Sequence, residues 1–519
     1  MRAGRMSRSL VPVLAGLLLV GPAATASLGA GPVKPTYEVV SCESEQFAGR
    51  LPTDMEIVCG LLTVSEDRRE PMGPGNEVVL PVAILAATGS DPQPDPLVML
   101  NGNLGVGAFE YYMGAYSPGQ GVVPSDYLLE LLEDRDVILM DHRGAGRAVP
   151  STTCPASSQL DTLLQLLSTP GGLEEEKAVL HANLTACVES IRAQGVDLDQ
   201  YDRANLAQDL SDLRRALGIR TWNAYGHSAG GNLALELLRQ DHAALRSVVL
   251  DAAVPPYEDI DSLASTAESA KRGFEAIAAA HGVADLESRL EALVAKFDAD
   301  PYAPTGTLAE GLTLTGTDVP FVLLNGMYVT DFIPLLDLFV TNLELFGTEW
   351  AFDLGELLGF PAGLVPTVFD LFAAFIPQAW GDTSDGVYVA VLCSRSELIS
   401  ARTTIEGNIA AFGVYGIPPV DFPQIPQLCD GLGIQPDAQP VYKVRDTPVP
   451  TLVRHGNLDI AVPPEWSLEL SQRLGDRSQY LEFPMAGHWV QEYGQCAIDT
   501  LTAFFAEPGQ PVDASCIGG

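Results

Sequence analysis

Short apolar runs rich in Val, Ile and Leu recur along the 519-residue chain. Pro96-Leu-Val-Met-Leu100, Asp136-Val-Ile-Leu-Met140, Thr221–Tyr225, Ser247-Val-Val-Leu-Asp251 and Pro450-Thr-Leu-Val-Arg-His455 are too short for helices and predict buried strands. Gln479-Tyr-Leu-Glu-Phe-Pro484 predicts one more. Asn232-Leu-Ala-Leu-Glu-Leu-Leu-Arg239 carries apolar residues at helical spacing, so strands and helices alternate as in an open, mostly parallel α/β sheet. That alternation stops between Asp251 and Val449. Here Glu268–Lys296 has a charged amphipathic pattern, expected to lie in solvent. Phe332–Trp380 is far more apolar, with Phe339, Phe346, Trp350, Phe352, Phe360, Phe369, Phe372, Phe375 and Trp380. Asp337, Glu344, Glu349 and Asp353 interrupt it too often for a membrane span. A mainly helical cap, inserted before a late strand, is the expectation.

The chemistry concentrates at Asn223-Ala-Tyr-Gly-His-Ser-Ala-Gly-Gly-Asn232. Gly226-x-Ser228-x-Gly230, with a strand before it and a helix after it, is the pattern of a nucleophile elbow, which lifts a serine hydroxyl above the sheet. Such a serine needs a base, and the base an orienting acid. His488, in the loop Ala486-Gly-His-Trp489 after the last strand, is the candidate base. Asp459, in Gly456-Asn-Leu-Asp459 just past its strand, is the candidate acid; catalytic groups of open α/β sheets gather at that edge. Asp251, ending its own strand, is the rival acid, and His455 is a second histidine near Asp459. His142 and His227 are expected to be wall or packing residues. The oxyanion hole is expected from the amide of Ala229 and from the loop Asn101-Gly102-Asn103-Leu104-Gly105-Val-Gly107, with Gly102 and Asn103 its nearest donors. The turn Asp141-His-Arg143-Gly-Ala-Gly146 is taken as structural, Arg143 forming an ion pair that fixes neighbouring loops.

The order Ser, Asp, His and the motifs around it resemble those of the secreted α/β-hydrolases of the proline iminopeptidase and tripeptidyl aminopeptidase group. The likeness rests on Cys59-Gly-Leu-Leu-Thr-Val64, Asp141–Gly146, Cys154-Pro155 and Asp209–Gly218. Towards the C-terminus it rests on Gly456–Asp459, Pro463-Pro-Glu-Trp466, Gly487-His488, Cys496 and Cys516. It covers nearly the whole mature chain in the same order. The resemblance implies an α/β-hydrolase fold, a doubly wound sheet interrupted by a cap, and a Ser228–Asp459–His488 triad. The implied boundaries are a core over 27–255, a cap over 256–445, and a tripeptidyl-aminopeptidase-like end of the core over 446–519. It also implies a cap carboxylate that holds a substrate ammonium, for which Asp382 and Glu397 are the candidates. Two positions depart from the group. Its oxyanion loop usually reads Gly-Gly-Pro-Gly, against Gly102-Asn-Leu-Gly105 here, and a bulky aromatic usually follows the nucleophile, where this chain has Ala229. His227–Asn232 is similar instead to the elbows of carboxylesterases and lipases, so amides and esters both stay open.

Composition adds the setting. Arg2, Arg5 and Arg8 precede the apolar run Leu10–Val20, and Ala24-Thr-Ala26 offers a small-residue cleavage site, together the pattern of a signal peptide over 1–26. Eight cysteines in an exported chain predict disulfides, for which sequence alone allows about 105 pairings. Neighbour pairing is the simplest and fits the family pattern: Cys42 with Cys59, Cys154 with Cys187, Cys393 with Cys429, Cys496 with Cys516. No metal-ligand spacing occurs, and neither metal nor cofactor is expected. The 67 acidic against 29 basic residues, a net charge of −38, would repel nucleic acid and anionic membranes; no membrane anchor is expected. An acidic site mouth would favour substrates with a free amine. The expected partner is a small peptide or ester. The expected activity is a secreted serine hydrolase releasing residues from peptide N-termini. A carboxylesterase for hydrophobic esters is the alternative, and a non-catalytic hydrolase-fold binding protein the remote one.

Overall fold

The computed structural model describes residues 34–113, 125–154, 173–258, 263–301, 313, 315–316, 318–327, 330–346, 384–395, 405–417, 429, 431–435 and 444–518. The expected signal peptide, Asp382 and Glu397, and the aromatic stretch beyond Phe346 lie outside these residues. The described strands are β1 (Thr36–Val40), β2 (Ile57–Ser65), β3 (Glu77–Leu85), β4 (Leu97–Leu100), β5 (Val137–Met140), β6 (Trp222–His227), β7 (Leu245–Asp251), β8 (Thr451–Gly456) and β9 (Ser478–Phe483). They form one sheet in the order β1-β2-β3-β5-β4-β6-β7-β8-β9. The first four neighbours pair antiparallel, and from β5 across to β9 every pairing is parallel.

The short apolar runs are the inner parallel strands, β4 to β8. β4, β5, β6 and β8 are buried at every position, because helices cover both faces of a parallel sheet. On one face Val98, Ile138, Ala224, Val248 and Val453 pack against Leu206, Leu210 and Leu213 of the helix Arg203–Ala216 and Leu233 and Leu237 of the helix Ala229–Asp241. On the other, Met99, Leu139, Tyr225, Val249 and Leu452 meet Leu128 and Leu131 of the helix Asp126–Asp134 and Phe504 of the helix Gln495–Ala506. Each such side chain contributes about 1.5–3 kcal/mol when fully buried. Register then aligns the strand ends: Leu100 pairs with Gly226, His227 with Asp251, Asp251 with Arg454, and Gly456 with Phe483. The loops that follow β4, β6, β8 and β9 therefore open on one edge.

Two buried ion pairs brace that edge. Arg454 of β8 grips both carboxylate oxygens of Asp251 on β7, and the Tyr225 hydroxyl donates to Asp251 at 2.7 Å. Arg143, in the turn after β5, donates to both oxygens of Asp209 at 2.7 Å and to the carbonyls of Glu66 and Gln200, tying three loops together as expected. The four neighbour disulfides are all formed. Asp385 lies beside the sulfurs of Cys154 and Cys187, but those sulfurs are committed to each other.

Between β7 and β8 the described chain is helical: Leu263–His281, Leu286–Ala299, Asp318–Met327, Leu336–Phe346, Asp385–Cys393 and Ile405–Phe412. Among the described residues no helix is long and apolar enough to cross a membrane. The charged stretch Glu268–Lys296 does not simply lie in solvent. It folds as two helices broken near Gly282, and these bury Ala270, Phe274, Ile277, Leu286, Leu290, Leu293 and Phe297. An amphipathic helix must cover its apolar stripe, and the partners include Ile333, Leu336, Phe339 and Val340, with Leu458 and Ile460 beside the expected acid.

Candidate active site

The turn between β6 and the helix Ala229–Asp241 places Ser228 at φ 50°, ψ −117°, a region costly for any residue with a side chain. Backbone crowding explains the glycines around it. A Cβ on Gly230 would stand 2.1 Å from the Leu100 carbonyl oxygen, so strand β4 and the elbow touch backbone to backbone. Gly230→Ala is therefore expected to cost about 1–3 kcal/mol through overpacking. Displacement of Ser228 by about 1 Å would also lower kcat by roughly 10²-fold. Thermal melting and kcat measured together check both effects.

His488 and Asp459 meet directly. His488 Nδ1 donates to Asp459 Oδ2 at 2.8 Å, with both residues buried. The loops come together because Gly456 carries no side chain: a Cβ there would lie 2.2 Å from the Gly487 carbonyl oxygen. Asp459 Oδ1 accepts from the amides of Ala461 at 2.8 Å and Val462 at 3.0 Å. Burial pushes this carboxyl up, but the charge of His488 and hydrogen bonds from His455 and His488 outweigh it. Asp459 is held well below the usual carboxylate range and stays ionised. With its proton on Nδ1, the His488 ring turns its basic nitrogen, Nε2, away from Asp459.

His227 links His488 to Ser228, its neighbour in the chain. Its ring lies 4.9 Å from that of His488, and its Nε2 donates to the His488 carbonyl at 3.1 Å. Its Nδ1 accepts from the Tyr111 hydroxyl at 2.7 Å. Burial and the neighbouring His488 lower its pKa to about 4, so His227 is neutral near pH 7. It serves as a bracket and not as a base. Trp489 completes the wall, 5.0 Å from His227 and stacked at 5.4 Å on Tyr111. Gly102 sits against the elbow: a Cβ there would be 3.2 Å from Ser228 Cβ and 2.7 Å from His227 Nδ1. Its loop is held from within by Asn101, whose amide donates to the carbonyls of Asn103 and Val106. Asn103 in turn accepts from the Gly105 amide at 2.9 Å. His142, lowered to about 4 by burial, contacts Asn101 Oδ1 at 3.1 Å.

The rival acid finds other partners, while the rival histidine lies against Asp459 as well. Asp251 gives its oxygens to Arg454 and Tyr225. His455 is buried between Ser467 and Val462. The insertion reaches both sides of the site, which the sequence did not signal. Arg272 donates to the main-chain carbonyl of Asp459, and Gly273 packs so close to Ile460 that a Cβ would lie 2.5 Å from its side chain. Opposite, the Ser384 amide donates to the Gly105 carbonyl at 2.7 Å. Arg272 was hidden because it sits in a stretch whose charges look solvated. Tyr111 stands alone after the glycine loop, with no pattern to mark it.

Residues 95–300 match the family model of the α/β hydrolase fold. With the sheet described above, the chain has the α/β-hydrolase fold. Residues 421–516 match a second family model, that of TAP-like proteins. The putative hydrolase YuaR of Escherichia coli (strain K12) is 22% identical over 229 residues; the match spans 43% of this chain and 41% of that relative. Among solved structures, a proline iminopeptidase-related protein from Thermus thermophilus is 17% identical with a TM-score of 0.38, covering 85% of this chain and 94% of its own. A thermophilic esterase from Thermogutta terrifontis is 12% identical with a TM-score of 0.36, covering 85% and 97%.

Proposed function

We propose that this hydrolase is a serine enzyme that works through an acyl-enzyme and releases residues from peptide N-termini. The observation that carries the serine chemistry is the buried Asp459–His488 hydrogen bond, with His488 packed on His227, the chain neighbour of the strained Ser228. In this reading His488 Nε2 takes the Ser228 proton as the hydroxyl oxygen attacks the substrate carbonyl. The amide of Ala229, at the helix N-terminus, and one from the Gly102–Asn103 segment donate hydrogen bonds to the developing oxyanion; one such donor is worth about 10²–10³-fold in kcat. His488 then gives its proton to the leaving amine, and water repeats the sequence to free the acid. The TAP-like match over 421–516 supports the peptide reading. Asp382 and Glu397 are the proposed partners of the substrate ammonium, and the insertion over 256–445 the proposed cap. Four disulfides and the N-terminal pattern of basic and apolar residues support export.

A carboxylesterase reading is favoured by one feature: Ala229 leaves the position after the nucleophile small. A matched substrate panel separates the two. Aminoacyl and tripeptidyl anilides with a free amine, their N-blocked forms, and short and long acyl esters would be compared on the mature protein. Turnover of anilides that disappears on blocking is the expected result. Rapid ester turnover without anilide cleavage would make the enzyme an esterase. Failure of Ser228 to react with a fluorophosphonate would leave only the non-catalytic binding reading.

A further inference from the structure

Asp459 is shared by two imidazoles. His488 Nδ1 donates to its Oδ2 at 2.8 Å, and His455 Nε2 lies 3.0 Å from the same oxygen. His455 is wholly buried on β8, four residues before the acid, and its ring cannot choose its tautomer freely. Its Nδ1 is 2.6 Å from the Ser467 hydroxyl and its Nε2 is 3.0 Å from the Val462 carbonyl. A carbonyl oxygen only accepts, so the Nε2 proton must be present, and Ser467 must then donate to Nδ1. That proton faces Asp459 Oδ2 and the Val462 carbonyl together. The Val462 carbonyl and the Asp459 carboxylate thus set the tautomer of His455, and Ser467 satisfies its other nitrogen.

We propose that His455 is a positioning residue of the triad, a second N–H donor that fixes the Asp459 carboxylate and limits how much of its charge His488 receives. The inference rests on the Ser228–His488–Asp459 reading above. The other charged or titratable groups around the pair are few. Arg272 binds the main-chain carbonyl of Asp459 and lies 3.9 Å from Glu465. His227 packs on His488, and Asp251 is neutralised by Arg454 on the neighbouring strand. Removing the His455 donor leaves Asp459 with more charge to offer His488. The imidazolium form of His488 is then stabilised, and a higher pH is needed to free the base.

The substrate being unidentified, the probe is a fluorophosphonate, and the readout is its second-order rate of reaction with Ser228 against pH. His455→Phe keeps the volume and removes the donor. Its acid limb is expected to move up by about one pH unit, slowing the reaction roughly tenfold below the limb. His455→Gln returns an N–H to the same side and should restore most of the rate and the original limb. Ser467→Ala keeps the ring and its Nε2 donor, whose proton the Val462 carbonyl and Asp459 still hold, and should leave the limb unmoved. Parallel losses in the Phe and Gln variants with an unmoved limb would mean packing alone and overturn the proposal, as would a wild-type profile for His455→Phe. Should the Phe variant not fold, His455→Leu, which also lacks the donor, takes its place, and an unmoved limb there overturns the proposal. A wild-type protein unreactive at Ser228 would instead sink the triad reading itself.

Discussion

Ser228→Ala should lower kcat by about 10⁴–10⁶-fold, the loss seen when a triad nucleophile is removed. Binding of the substrate should persist, because the groups that line the wall, Tyr111, His227 and Trp489, are untouched. The variant carries a second expectation that depends on the backbone. Ser228 sits at φ 50°, ψ −117°, where alanine is as strained as serine but glycine is at ease. Ser228→Gly should therefore be as inactive as Ser228→Ala yet more stable than it by about 1 kcal/mol, reduced by the extra freedom glycine gains in the unfolded chain. Denaturant melts of the two variants measure the difference. An alanine variant that retains substantial turnover would place the nucleophile elsewhere. A glycine variant clearly less stable than the alanine one would remove the strain argument while leaving the chemistry intact.

The second large effect comes from exchanging one carboxylate oxygen for an amide. Asp459→Asn should lower kcat by about 10⁴-fold with the fold retained, because the amide no longer holds the proton on His488 Nδ1. Asp251→Asn, on the adjacent strand, should do the reverse. It leaves the wholly buried Arg454 without its compensating charge, a loss of about 3–5 kcal/mol in stability, while the protein that remains folded keeps most of its kcat. Urea unfolding and single-turnover rates on both variants make a crossed comparison. Equal stability losses with equal rate losses would mean that the two acids had been given the wrong tasks. Since Asp459 is held far below the usual carboxylate range, it stays charged at and around neutral pH. The acid limb of the wild-type profile should accordingly report one proton and not two.

The sheet could be read from sequence because parallel strands covered on both faces appear as short unbroken apolar runs, such as Leu97–Leu100 and Val137–Met140. The elbow was equally legible, since its glycines answer a backbone contact that no other residue tolerates. What escaped was anything set by register or by contacts across long separations. Whether Asp251 or Asp459 meets His488 turns on Arg454 lying opposite Asp251 in the β7–β8 pairing, a fact that no local pattern carries. Ser467 stands in the helix that follows the loop of Asp459, and its contact with His455 Nδ1 exists only in three dimensions. Arg272 is separated from Asp459 by 187 residues. Its helix was expected in solvent because its charges are easier to see in sequence than the stripe of Ala270, Phe274 and Ile277 beneath them.

The way the insertion is fastened bears on redesign. Arg272 and Gly273 clasp the loop of Asp459, and Ser384 holds the carbonyl of Gly105 on the other flank. An engineer who exchanged this segment for that of another hydrolase, hoping to import a new specificity, would also unfasten the two loops to which the proposed function assigns the acid and the oxyanion hole. The graft points that preserve the chemistry lie inside those anchors, with the helix Leu263–His281 and the start of the helix Asp385–Cys393 left native. Only the stretch between them is open to exchange.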